Sequence, residues 1–244
     1  DQLVAESQTR DRSKPIPITV QRIEERGRFS ELPLPLARVD GQIVVAPEVV
    51  AEQQELAAQF QRELDARLAK TSRKEAYIFI HGFHNTFDDA AFVMAELWHF
   101  MGREGVPIIY TWPAGAGGGF LRGYEEDYES SDFTVYHLKQ FLRVLATNPE
   151  LQKIHIVAHS RGTGVASAAV REIVVESLAA QDDPMETLKI ENLVLAAPDL
   201  DVKIASVRIG AERVYLGVNK STIYVSKHDK AVGLSEWLFG DNAR

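Results

Sequence analysis

The sequence contains no cysteine. That absence excludes a thiol nucleophile, a disulfide framework and metal sites built on thiolates. It leaves the redox compartment open, because a cysteine-free chain is indifferent to it. Long apolar runs are missing too, and none approaches the ~20 residues that a membrane-crossing helix needs. An excess of positive charge is also absent. Lys and Arg number 27 against 35 Asp and Glu, for a formal net charge of −8, so bulk electrostatics favour neither nucleic acid nor an anionic membrane surface. There is no internal repeat, low-complexity tract or signal-peptide pattern. The chain begins at Asp1 rather than Met, which fits removal of a leader and leaves cytoplasmic, periplasmic and secreted locations open.

What is present is an ordinary globular composition: 244 residues, 45% hydrophobic and 25% charged. A chain of this kind can bury a core without metal or disulfide staples. Residues 1–50 are punctuated by Pro15, Pro17, Pro33, Pro35 and Pro47 around short β-like pieces at 16–20 and 42–45. They read as an arm or edge hairpin preceding a main domain over 51–244. In residues 48–70, Leu56, Phe60, Leu64 and Leu68 recur every fourth position, which predicts a helix. Apolar strand candidates then follow at 76–80, 106–112, 154–158, 192–197 and 222–226. Helical patterns lie between them at 88–103, 131–146 and 163–178, and the acidic run 125–129 reads as a solvated turn. Strands apolar on both faces and separated by helices predict a mostly parallel α/β sheet with helices on both faces.

The segment 154–162 runs from a strand through His159-Ser160-Arg161 to Gly162. Small residues two before and two after a serine permit a sharp strand-to-helix turn that lifts the hydroxyl above the sheet. Here those residues are Ala158 and Gly162. A loose match of this kind arises by chance about once in seven chains of this length, so context must carry it. Ser160 is the only serine with glycine two residues later, and it sits at a strand–helix junction. The bland alternative is a helix N-cap serine. A serine nucleophile also needs two N–H donors for the developing oxyanion. The amide of Arg161 is one, and the strand ending in His81-Gly82-Phe83-His84 offers Phe83 as the other. His81 and His84 read as loop-fixing imidazoles or site-lining groups rather than as a base.

The segments 79–91 (FIHGFHNTFDDAA), 110–113 (YTWP), 156–162 (IVAHSRG), 195–201 (LAAPDLD) and 223–234 (IYVSKHDKAVGL) together resemble the bacterial α/β hydrolases of poorly assigned function, loosely described as esterase- or lipase-like. The resemblance spans roughly residues 76–236. It implies an α/β-hydrolase fold, an acid at Asp229 after the last strand, and a histidine base further on. Asp199 and Asp201 are alternative acids, with Asp199 also readable as a turn residue after Pro198. His228 is the only histidine after Ser160 and adjoins Asp229, an awkward arrangement for a base and its orienting carboxylate. Three readings follow, in order of preference: the base lies beyond Arg244, the base is His228, or the protein is not a competent hydrolase.

Other features carry less. His155 and His159 are four apart on a strand, so their β-carbons stand roughly 13 Å apart and shared metal ligation is not expected. His159 reads as site-lining. The glycines at 115–119 lack the spacing of a phosphate loop and read as a mobile loop near the pocket. Trp112, Phe120, Tyr124 and Tyr128 are candidates for an acyl pocket or, equally, ordinary core and surface aromatics. The expected chemistry is hydrolysis of a small-molecule carboxylic ester through an acyl-serine, with no cofactor and no metal. The rivals are a non-catalytic binding protein of the same fold, and an acyltransferase, thioesterase or peptidase using the same serine.

Overall fold

The computed structural model describes residues 19–30, 33–83, 85–114, 120–200 and 202–226, and the side chains at 120–129, 131, 202, 204 and 208 lie outside that description. The first elements are β1 (Leu36–Val39) and β2 (Gln42–Val45), an antiparallel hairpin in which Leu36 faces Val45 and Val39 faces Gln42. Its turn is Asp40-Gly41, both at positive φ, the backbone that a tight two-residue hairpin turn demands. The β-like piece expected at 16–20 falls largely outside the described residues. Pro47 then opens α1 (Pro47–Leu68) at a position where a missing N–H costs nothing.

The main sheet has five strands: β3 (Glu75–Ile80), β4 (Val106–Tyr110), β5 (Lys153–His159), β6 (Ile190–Ala196) and β7 (Val218–Tyr224). Their order is β4-β3-β5-β6-β7 and every pairing is parallel. Between them run α2 (Phe87–Phe100), α3 (Phe120–Ala146), α4 (Gly162–Ala180) and the short α5 (Pro184–Leu188). Parallel neighbours need crossover connections; these helices supply them as far as β6, and short helical turns at Val202–Ala205, Ser206–Ala211 and Val214–Gly217 lead from β6 to β7.

Alternation along the strands sends side chains to two faces. On one face Ile78, Ile80, Ile154, Ile156, Ala158, Leu193 and Leu195 are almost fully buried against Leu64 and Leu68 of α1, Leu138, Leu142 and Leu145 of α3, and the α4 stripe through Val170 and Ile173. Each large aliphatic group removed from water in this way stabilises by roughly 1.5–3 kcal/mol. On the other face Tyr77 and Phe79 pack against Ala90 and Met94 of α2.

Two expectations need correction. The acidic run 125–129 is part of α3, not a turn, because the helix begins at Phe120. The last strand begins at Val218 rather than 222. Its first half sets the exposed polar run Asn219-Lys220-Ser221 after the buried Val218, so no apolar run marks its start. The glycines at 115–119 lie outside the described residues.

Candidate active site

The chain passes from β3 to β4 on one side and then crosses to β5 on the other, so the sheet has its topological switch point between β3 and β5. In open parallel sheets the crevice beyond the carboxyl ends of such strands is where ligands bind. Two sequence-predicted segments meet there: His81-Gly82-Phe83 after β3, and Ser160-Arg161 after β5.

Ser160 sits at φ +50°, in the left-handed region. For a non-glycine residue this conformation costs on the order of 1–3 kcal/mol and persists only where surrounding bonds over-determine it. Those bonds are present. Its N–H donates to Ala196 O at 2.9 Å, and its carbonyl accepts from Thr163 N at 3.0 Å and from Thr163 Oγ1 at 2.6 Å. An N-cap serine would have extended backbone and would accept helix N–H bonds on its side chain. Here the cap position belongs to Arg161, in helical conformation and with no side-chain cap. Among the described residues the Ser160 hydroxyl has no hydrogen-bond partner.

Two glycines let the segments approach. A Cβ on Gly82 would lie 2.7 Å from Ser160 Cβ and 3.0 Å from His159 O. A Cβ on Gly162 would come within 2.8 Å of Ile80 O, and closer still to His81 O. Side chains at either position would push the β3 loop off the β5 turn. Phe83, half-buried, follows Gly82 directly.

His81 is 1% exposed, beneath the loop after β3. Its Nε2 accepts from Trp112 N–H at 3.2 Å, so the hydrogen-bond network assigns the proton to Nδ1, which faces Gly82 O at 3.0 Å. Trp112 donates its indole N–H to His81 O at 2.9 Å and stacks on the imidazole with centroids 5.6 Å apart. Both were expected to line the site. Burial makes them the floor that holds the loop after β3 against the end of β4. The loop's exit is fixed by a capping box: Thr86 Oγ1 accepts from Asp89 N–H at 3.2 Å, and Asp89 Oδ2 accepts from Thr86 N–H at 2.9 Å.

His159 is exposed beside the turn. Asp199, after β6, brings its carboxylate 3.6 Å from the Arg161 guanidinium, with the two side chains 15% and 12% exposed. The sequence offered Asp199 as an acid or a turn residue; nothing in the spacing of two residues that follow different strands signalled this pair. Tyr124 lies on α3 with its side chain outside the description. His84, Asp201, His228 and Asp229 lie outside the described residues.

His155 stands apart from this site. Its Nε2 is 3.3 Å from Glu75 Oε2, its Nδ1 is 2.8 Å from Asn192 Nδ2, and its ring stacks on Tyr77 at 4.6 Å. Burial pushes its pKa below the ordinary value, against the opposing pull of Glu75. Among the described residues no group of three or more His, Asp or Glu side chains is arranged to hold a metal ion, and no helix is long and apolar enough to cross a membrane.

No curated protein matches this chain. A family described as "Alpha/beta hydrolase of unknown function (DUF900)" matches residues 56–244. That span holds the whole five-stranded sheet, the β3 loop and the Ser160 turn, and the chain belongs to this alpha/beta hydrolase family.

Proposed function

We propose that this protein is a serine hydrolase that cleaves carboxylic esters through an acyl-serine intermediate at Ser160. One observation carries the reading: a serine held at φ +50° at the switch point, its backbone fully bonded and its hydroxyl without a partner among the described residues. Stored strain at a sheet-end turn is a signature of functional backbone, and an ordinary capping serine would not need it.

In the proposed sequence Ser160 Oγ adds to the ester carbonyl carbon while its proton passes to an imidazole. The tetrahedral oxyanion accepts from the N–H groups of Arg161 and Phe83, where such donors contribute the largest part of the rate. The carbonyl re-forms, the C–O bond to the alcohol breaks, and the imidazole returns its proton to the leaving alkoxide. Water, deprotonated by the same base, then releases the carboxylate and restores Ser160. Asp229 orients the imidazole, for which His228 is the candidate after Ser160 in this sequence.

The test is covalent labelling by a fluorophosphonate together with turnover of short p-nitrophenyl esters. Wild type should label at Ser160 and turn over, and Ser160→Ala should do neither. Absence of both in wild type rejects the reading in favour of a binding protein of the same fold. Product analysis with added alcohols or amines separates hydrolysis from acyl transfer, and loss of turnover in His228→Ala identifies the base.

A further inference from the structure

We infer that Asp199 is a positioning residue whose ion pair with Arg161 fixes the turn carrying the nucleophile, and through it the direction of the Arg161 amide. This rests on the reading of Ser160 as a nucleophile and adds a residue from a third strand end to its machinery.

The argument begins with the turn. The direction of the Arg161 N–H is set by ψ of Ser160 and φ of Arg161, which is −57°. Ser160 is strained, so its native backbone is not the one the local chain would choose. Bonds on its N–H and carbonyl anchor it from the Ala196 and Thr163 sides. The segment after β6 adds a further tether. Asp199 N–H reaches Ser160 O at 3.4 Å, Ala197 N–H is held by Tyr224 O at 2.8 Å, and Leu200 Cδ2 would be 3.5 Å from a Cβ on Gly164. The charged contact completes this docking, with Asp199 Oδ2 at 3.6 Å from Arg161 Nη1 and both side chains largely buried.

A pair so placed is weak evidence for stability, because desolvation offsets the Coulombic gain and an apolar pair of similar volume often stabilises as well. What charges in this position add is direction. The guanidinium is drawn toward β6, the Cα–Cβ bond of Arg161 is held, and its amide is kept aimed across the crevice toward the loop after β3. An amide misplaced by about 1 Å costs about 100-fold in rate.

The pair therefore separates two roles that substitutions can resolve. Asp199→Asn removes this carboxylate charge from a largely buried guanidinium and should lower the melting temperature and slow labelling together. The double variant Arg161→Met with Asp199→Leu removes both charges, and its melting temperature should return to near that of wild type. If the pair positions the amide, fluorophosphonate labelling of the double variant stays about 10- to 100-fold slow, its ester kcat falls with KM little changed, and the peptide spanning 158–164 exchanges amide hydrogens faster than in wild type. A double variant that labels, turns over and exchanges like wild type overturns the inference. Hydrogen exchange also separates this inference from the reading beneath it. If wild type never labels, Ser160 is not a competent nucleophile, and the exchange of 158–164 in the double variant still decides: unchanged exchange overturns the tether, and accelerated exchange supports it as a fold device alone.

Discussion

The two ends of the parallel sheet handle their polar groups differently. At the amino ends of the strands, long side chains answer the chain's own backbone. Lys74 Nζ donates to Leu68 O and Thr71 O, and Lys189 Nζ donates to Asn148 O at 2.8 Å and Leu151 O at 3.1 Å. Asn148 Oδ1 accepts from the Glu150 and Leu151 amides, and Lys153, Glu191 and Asn219 form a linked set. At the carboxyl ends the backbone itself is under constraint: a left-handed serine, two glycines that admit no Cβ, and a histidine with both nitrogens engaged. A cavity of about 580 Å3 lies at the amino end, lined by Leu151, Lys153, Met185, Lys189 and Glu191 among others. Constrained backbone occurs at both ends, since Lys189 before β6 is also left-handed and Gly105 before β4 admits no Cβ; what sets the carboxyl end apart is a serine hydroxyl with no hydrogen-bond partner among the described residues. That hydroxyl is the better guide, because a cavity lined by groups already bonded to their own chain leaves little polar demand for a ligand.

Substitutions at each end test this contrast, beginning with the largest effect. Ser160→Gly should abolish labelling while raising stability by about 1 kcal/mol, since glycine adopts positive φ without strain; a variant less stable than wild type in urea melts would mean that Ser160 stores none. Gly162→Ala should cost about 1–3 kcal/mol, because its methyl group meets the backbone carbonyls of Ile80 and His81, which cannot rotate away as a side chain would. Labelling should fall in the same variant. At the opposite end, Lys189→Met strips Asn148 O and Leu151 O of their donor and should cost about 1–2 kcal/mol, with labelling of the folded protein unchanged. Slowed labelling there would break the contrast.

The smallest effect concerns His155. Its folded pKa lies below 6.5 because burial disfavours the imidazolium, although Glu75 and Glu191 favour it and Lys153 opposes. In the window below 6.5 the unfolded chain binds more protons, so stability rises with pH and is lost as pH falls from 6.5 toward the folded value. His155→Gln should flatten that part of the stability–pH curve, while leaving the pH dependence of labelling alone.

The strand set, the helices between them and the Ser160 turn were legible in the sequence because each announces itself locally. Apolar runs such as 154–158 have one dominant solution in a covered sheet, and a serine between Ala158 and Gly162 marks a tight turn. The first half of α3 was misread because an acidic run shows no apolar face of its own. The start of β7 was missed because the polar run Asn219-Lys220-Ser221 interrupts the apolar pattern. The family resemblance read from five short segments agrees with the matched family. Contacts between strand ends were not legible: His81 with Trp112 joins β3 to β4, and Arg161 with Asp199 joins β5 to β6.

The sequence by itself determined which residues enter the parallel sheet and where it turns at Ser160, because hydrophobic periodicity and small residues act over a few positions of chain. Only the tertiary structure decided that His81 is buried against Trp112, that Asp199 faces Arg161, and that Ser160 is held in a left-handed backbone. Each of these depends on strand order, which brings the ends of β3, β4, β5 and β6 side by side at distances the linear chain does not encode.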